Sequence, residues 1–150
     1  MKVSFNYLDT DKRPILGAKA RKLIQTVLFT EGKKLGEINF IFTSNKAVLK
    51  INKNYLKHNY FTDVITFNNS VKYRISGDIY ISIDQVVINA VHFKVSIGEE
   101  LARVMIHGVL HLIGYTDDKR IAREGMRARE DFFISKGVEL DLFSGNEFKL

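Results

Sequence analysis

The sequence predicts an α/β (α+β) domain: one small mixed sheet of about four strands packed with about five helices. Three observations carry that expectation. Short segments of alternating β-branched and aromatic residues recur along the chain. They are interleaved with segments whose apolar residues fall at helical spacing. The length, 150 residues, suits one domain, and no repeat, low-complexity tract or linker divides residues 1–150.

Taken in order, Val3 to Tyr7 alternates like a half-buried strand. Pro14 stands where a first helical turn tolerates it. Ile15, Ala18, Leu23, Val27 and Leu28 then mark an amphipathic helix ending near Gly32. EINFIFTS (37–44) reads as a strand, and Ala47, Val48, Ile51 and Tyr55 follow with helical spacing. KHNYF (57–61) reads as a loop. DVITFNN (63–69) and GDIYISI (77–83) read as strands, the second buried on one or both faces. Asp84 is the expected cap of a helix running through His92. Ser96 and Glu99 form a capping-box pattern that opens a helix over 97–113. A last helix is expected over 119–136, and the tail from 137 carries weak signals.

The composition narrows the chemistry. Cysteine is absent, which excludes disulfides, Cys-ligated zinc and thiol catalysis. A chain of this size buries roughly two-thirds of its unfolded surface, so its core needs no metal for stability. The N-terminus has no apolar run of signal-peptide length, and no segment approaches a membrane span. The expectation is a soluble cytoplasmic protein without a membrane partner. The net charge of +6 suggests a polyanionic partner, nucleic acid first, although many small basic proteins bind none.

HGVLHLIGYTDD (107–118) is the segment richest in chemistry. Residues four apart in a helix are about 40° apart around the axis and about 6 Å apart along it. His107 and His111 therefore project to one side and can reach one metal ion, and zinc takes neutral imidazole readily. Val104, Met105, Val109, Leu110, Leu112 and Ile113 make the helix apolar almost all round, and imidazoles placed there need partners. The helix offers no obvious carboxylate, which favours a shared ligand. Gly114 supplies the residue that ends the helix. Asp117, six residues after His111, is within reach of the same ion. Two histidines and one carboxylate leave a fourth position open, as catalytic zinc sites do. Zinc proteases place Glu directly after the first His as general base. Gly108 stands there instead, which argues against protease chemistry and suggests a packing or access requirement. Asp118 is expected to cap the final helix.

The same segment resembles the signature of the YbeY-type rRNA maturation endoribonucleases, usually His-Gly-x-Leu-His-Leu-x-Gly-Tyr-Asp-His. INKNYLKHNYFTDVITF (51–67) is similar to the family's Leu-Asn-x-x-Tyr…Thr-Asp-Val-Leu-Ser-Phe segment. GDIYISID (77–84) is similar to its Gly-Asp-Ile-x-Ile-Ser strand, and EGMRARED (124–131) to its Met-x-x-x-Glu helix. The resemblance implies one zinc-bearing α/β domain acting as a single-strand-specific endoribonuclease. Its implied roles are 16S rRNA 3′-end maturation and ribosome quality control. The implied partners are the 16S rRNA precursor and the small ribosomal subunit. The family's first two metal histidines fall on His107 and His111, and its third on Asp117, also a zinc ligand type. One Zn2+ per chain is expected, with another divalent transition metal as the alternative. Assembly is left open, with a monomer as the working expectation.

A second departure lies after the Tyr of the 51–67 segment. The family often has Arg there, whereas this chain has Leu56 followed by Lys57 and His58. Either of the latter is a candidate to replace that Arg. Thr62 and Asp63 match the family's Thr-Asp pair. An acid at this strand start could bond a metal-ligating imidazole or position a water, although by itself the pair reads as a turn. Asp63 and His58 are thus the catalytic candidates. Lys50, Lys53, Lys57, Lys72 and Arg74 are candidates to hold a phosphate backbone, although a lysine is most often solvated surface. Tyr55, Tyr60, Phe61 and Tyr73 could stack unpaired bases, although such aromatics are more often core. His92 reads as structural or surface. Two rivals stand beside the nuclease: a non-catalytic RNA-binding ribosome assembly factor with a structural metal, and a metal-dependent hydrolase of small molecules.

Overall fold

A computed structural model describes residues 1–55 and 64–150. The chain runs β1 (Lys2–Tyr7), α1 (Ala18–Thr30), β2 (Lys34–Thr43), α2 (Asn45–Tyr55), β3 (Val64–Asn68), β4 (Arg74–Ser82), α3 (Ile83–Phe93), α4 (Ile97–Ile113) and α5 (Arg120–Glu139). The four strands form one mixed sheet in the order β1-β2-β4-β3. β1 and β4 flank β2 in parallel, and β3 pairs antiparallel with β4. The expected sheet and five helices are therefore present.

Strand alternation sets which side chains face the helices. On β2, Ile38, Phe40 and Phe42 are buried, and on β4, Ile75, Ile79 and Ile81. The intervening positions of β4 before Ser82 are half-buried, so GDIYISI is covered fully on one face and partly on the other. α1, α4 and α5 pack with this apolar face, and α4 contacts both β3 and β4. Burial at this scale, about 25 cal/mol for each Å² of apolar surface, is the main force holding the layers together.

Two local expectations are corrected. The cap of α3 is Ser82, whose hydroxyl accepts from the Gln85 N–H. Asp84 lies inside the first turn and instead accepts from the Asn45 N–H and from Lys12. Pro14 precedes α1 rather than opening it, because the helix begins at Ala18. The Glu147 carboxylate accepts from the N–H groups of Gly17, Lys19 and Ala20. The tail is thus part of the fold, with Leu142 and Phe148 buried in the core. Among the described residues, no helix is long and apolar enough to cross a membrane.

Candidate metal centre

α4 carries the centre. Ser96 caps it, its hydroxyl accepting from the Glu99 N–H at 3.0 Å. Val104, Met105, Val109, Leu110 and Leu112 are buried, which fixes the rotation of the helix. Gly108 faces the sheet: a Cβ there would lie 2.7 Å from Cγ2 of the buried Ile79. The missing side chain therefore serves close packing of α4 on β4 rather than access to an ion. Gly114, at φ +123°, ends the helix in a conformation that favours glycine. The N–H groups of Gly114 and Tyr115 both return to the Leu110 carbonyl, and the chain reverses.

That reversal brings Asp117 onto the histidine pair. The Nε2 atoms of His107 and His111 are 2.9 Å apart. Asp117 Oδ2 is 3.2 Å from the first and 3.4 Å from the second. A tetrahedral zinc with bonds near 2.1 Å requires ligand atoms about 3.4 Å apart, so the triangle is close to the size of one face of such a site. These are the described histidine and acidic side chains that could share an ion.

The surrounding bonds decide which ring nitrogens are free. Glu130, on α5 and buried, lies 2.6 Å from His107 Nδ1 and accepts a hydrogen bond from its N–H. Arg103 Nη1 donates to the other oxygen of Glu130 at 3.2 Å, and Arg103 Nη2 meets Asp131 at 2.8 Å. His111 turns its own Nε2 toward His107 and Asp117. Both Nε2 lone pairs and a carboxylate oxygen then converge on one point, an arrangement that a cation satisfies. Burial lowers the His111 pKa below its ordinary value, the neighbouring His107 lowers it further, and Asp117 opposes them. His111 is therefore held in the neutral, ligating form.

Tyr115 is anchored in turn. Its hydroxyl donates to Glu31 Oε1 at 2.7 Å, and Arg129 of α5 ion-pairs with the other Glu31 oxygen. Successive α5 residues thus secure both halves of the centre: Arg129 through Glu31 and Tyr115, Glu130 through His107. A groove of about 660 Å³ opens beside His107 and Asp117, between the end of α3, α4 and α5. Its walls include Arg103, Arg120, Arg123 and Arg127 but a similar number of acids, so it is not strongly basic.

Of the remaining candidates, Lys50 and Lys53 are exposed on α2, and Lys72, Tyr73 and Arg74 are exposed at the β3–β4 turn. None of them joins the histidine–aspartate cluster. His58, Lys57, Tyr60, Phe61, Thr62 and Asp63 lie outside the described residues. His92 is exposed and packs edge-on against Phe93. Asp118 does not cap α5: the N-cap is Lys119, without a side-chain bond, and the Asp118 carbonyl accepts from Arg123 instead. The sequence reading missed Glu130, Arg103 and Glu31 as supporting residues. For Glu130 a signal existed in the Met126-x-x-x-Glu130 spacing, which places both side chains on the buried side of α5.

A family model described as Endoribonuclease YbeY matches residues 6–137. A Flavobacterium psychrophilum protein named Endoribonuclease YbeY is 46% identical over 130 residues, covering 86% of this chain and 91% of that protein. A Chlorobaculum parvum protein of the same name is 41% identical over 128 residues, covering 85% and 91%. The solution structure of a Thermotoga maritima protein matches with a TM-score of 0.59 at 25% identity, covering 89% of this chain and 88% of that one.

Proposed function

This chain belongs to the YbeY endoribonuclease family, and from that premise we propose that residues 1–150 form a metal-dependent endoribonuclease that hydrolyses single-stranded RNA. The observation that carries the reading is the convergence of His107 Nε2, His111 Nε2 and Asp117 Oδ2 within 3.4 Å of one another. The proposed ion is zinc, one per chain, because two imidazoles and a carboxylate suit it and leave one position for water or substrate. When bound, zinc supplies Lewis-acid polarisation of a phosphoryl oxygen and makes water more acidic.

The chain's own residues prepare that site. Glu130 accepts a hydrogen bond from the Nδ1–H of His107, which holds the proton there and leaves Nε2 free to ligate. Arg103 holds Glu130 in place. Burial keeps His111 neutral. Asp117 adds one negative charge, which strengthens cation binding. Lys50, Lys53, Lys57, Lys72 and Arg74 are the proposed contacts to the RNA backbone. Asp63 and His58 are the proposed residues that position water or phosphate. The resemblance supports 16S rRNA 3′-end maturation in the cytoplasm, with ribosome quality control, as the biological setting.

The test is cleavage of a labelled single-stranded RNA by zinc-loaded wild type and by His107→Ala. The proposal expects products from the first and none above background from the second. RNA bound but uncleaved by both would establish the non-catalytic assembly factor instead.

A further inference from the structure

The described cations are not equally engaged. Lys12, Arg103, Arg120, Arg129 and Lys136 are ion-paired. Many of the other described cations are in no ion pair, and four of these lie together on two adjoining turns. The β3–β4 turn is closed by reciprocal backbone bonds between Val71 and Arg74, each 3.0 Å, with Lys72 at φ +54°. This turn presents Tyr73, 67% exposed. The α1–β2 turn is stitched to it: the Lys34 N–H donates to the Tyr73 carbonyl at 2.8 Å, and Lys34 pairs in register with Arg74. Lys33 Nζ stands 5.5 Å from the Tyr73 ring centroid. Lys33 therefore stands over one projecting ring, and Lys34, Lys72 and Arg74 neighbour it along the two turns. Among the described residues, no carboxylate is ion-paired with any of the four. The nearby Glu31 is already taken by Arg129 and Tyr115.

The patch also adjoins the metal centre. Asn68, at the base of the hairpin, donates to the Leu112 carbonyl at 3.0 Å, one residue beyond His111. On the other side, Glu31 bonds Tyr115, two residues before Asp117.

We infer that the β3–β4 and α1–β2 turns together form a docking patch for single-stranded RNA, with Tyr73 stacking an unpaired base and Lys33, Lys34, Lys72 and Arg74 holding the flanking phosphates. The inference rests on the nuclease reading for its ligand, and it joins Lys72 and Arg74 of the proposed RNA contacts to a stacking ring and two further lysines. An exposed ring offers a face to an unpaired base but not to one stacked inside a duplex. The four cations supply the backbone attraction that the charge-balanced groove lacks. A strand held here is led to the end of α4, where the three candidate ligands meet.

The experiment is anisotropy of a fluorescein-labelled single-stranded oligoribonucleotide with the full chain, in EDTA so that nothing is cleaved. Tyr73→Ala should weaken binding by about 5- to 150-fold, the worth of one stacked base. Tyr73→Phe should bind like wild type. Lys72→Glu should weaken binding and reduce the salt slope by about 0.7 for each phosphate that is no longer neutralised. Lys149→Glu makes the same charge change near the start of α4, at the far end of the fold, and should have little effect. Wild-type affinity in Tyr73→Ala overturns the patch, as does an equal loss in Lys149→Glu and Lys72→Glu. A polyglutamate peptide bound as tightly as RNA, with no effect of Tyr73→Ala, also overturns it and points to an acidic protein partner. The two readings fail separately. Zinc-loaded wild type that binds RNA through Tyr73 without cleaving it contradicts the nuclease and leaves the patch standing. Wild type that cleaves while Tyr73→Ala binds normally removes the patch alone.

Discussion

Glu130 lies 2.6 Å from Nδ1 of His107, across the interface between α5 and α4. The bond sets the imidazole tautomer, and the second Glu130 oxygen is held by Arg103. The candidate ligand His107 is thereby aimed by a buried carboxylate that lies outside the His107–His111–Asp117 triangle.

Glu130→Gln should weaken zinc binding by about 10- to 100-fold, because an amide orients the ring less strongly and makes it less basic. Competition against a chromogenic chelator measures this. Unchanged affinity would show that the Glu130 contact only packs α5 on α4.

Tyr115 holds the segment that delivers Asp117. Tyr115→Phe removes the bond to Glu31 and should cost about 1 kcal/mol of stability in urea unfolding. It should also weaken zinc binding, by less than Asp117→Ala does. A stability loss without any change in zinc affinity would mean that Asp117 finds its place unaided.

The pH dependence follows from His111. Its folded pKa is lowered, so below the ordinary value of 6.5 the unfolded chain binds a proton that the fold resists. Stability of the metal-free protein is therefore full above 6.5 and should fall as pH drops from there toward the folded value. The slope from this one group is at most about 1.4 kcal/mol per pH unit. Asp84 and Glu147, whose pKa values are lowered from 3.8 and 4.5, lose their contributions only at lower pH. Urea unfolding in EDTA at pH 7.5 and 5.5 should show the loss, and His111→Asn should shrink it. An equal loss in the variant would assign the effect to other groups.

Much of this was legible in the sequence because the signals are local. Residue spacing placed His107 and His111 on one side of α4, Gly114 marked its end, and six residues sufficed to return Asp117. The sheet was legible from alternation in β2 and β4. What escaped notice depends on distant contacts. Glu147 caps α1 from the far end of the chain, and Glu31 reaches Tyr115 and Arg129 only after folding. Asp84 and Asp118 were assigned as caps on residue type, yet Asp84 bonds α2 and Lys12. Gly108 could not be read as packing until Ile79 stood beside it.

The most direct measurement is zinc titration into metal-free protein, with single-stranded RNA cleavage followed at each addition. A metal-dependent nuclease with one centre requires cleavage to rise in proportion to zinc and to plateau at one ion per chain. His111→Ala should give neither tight binding nor cleavage over the same range. Equal cleavage by metal-free and zinc-loaded protein, or a plateau unchanged in His111→Ala, would contradict it.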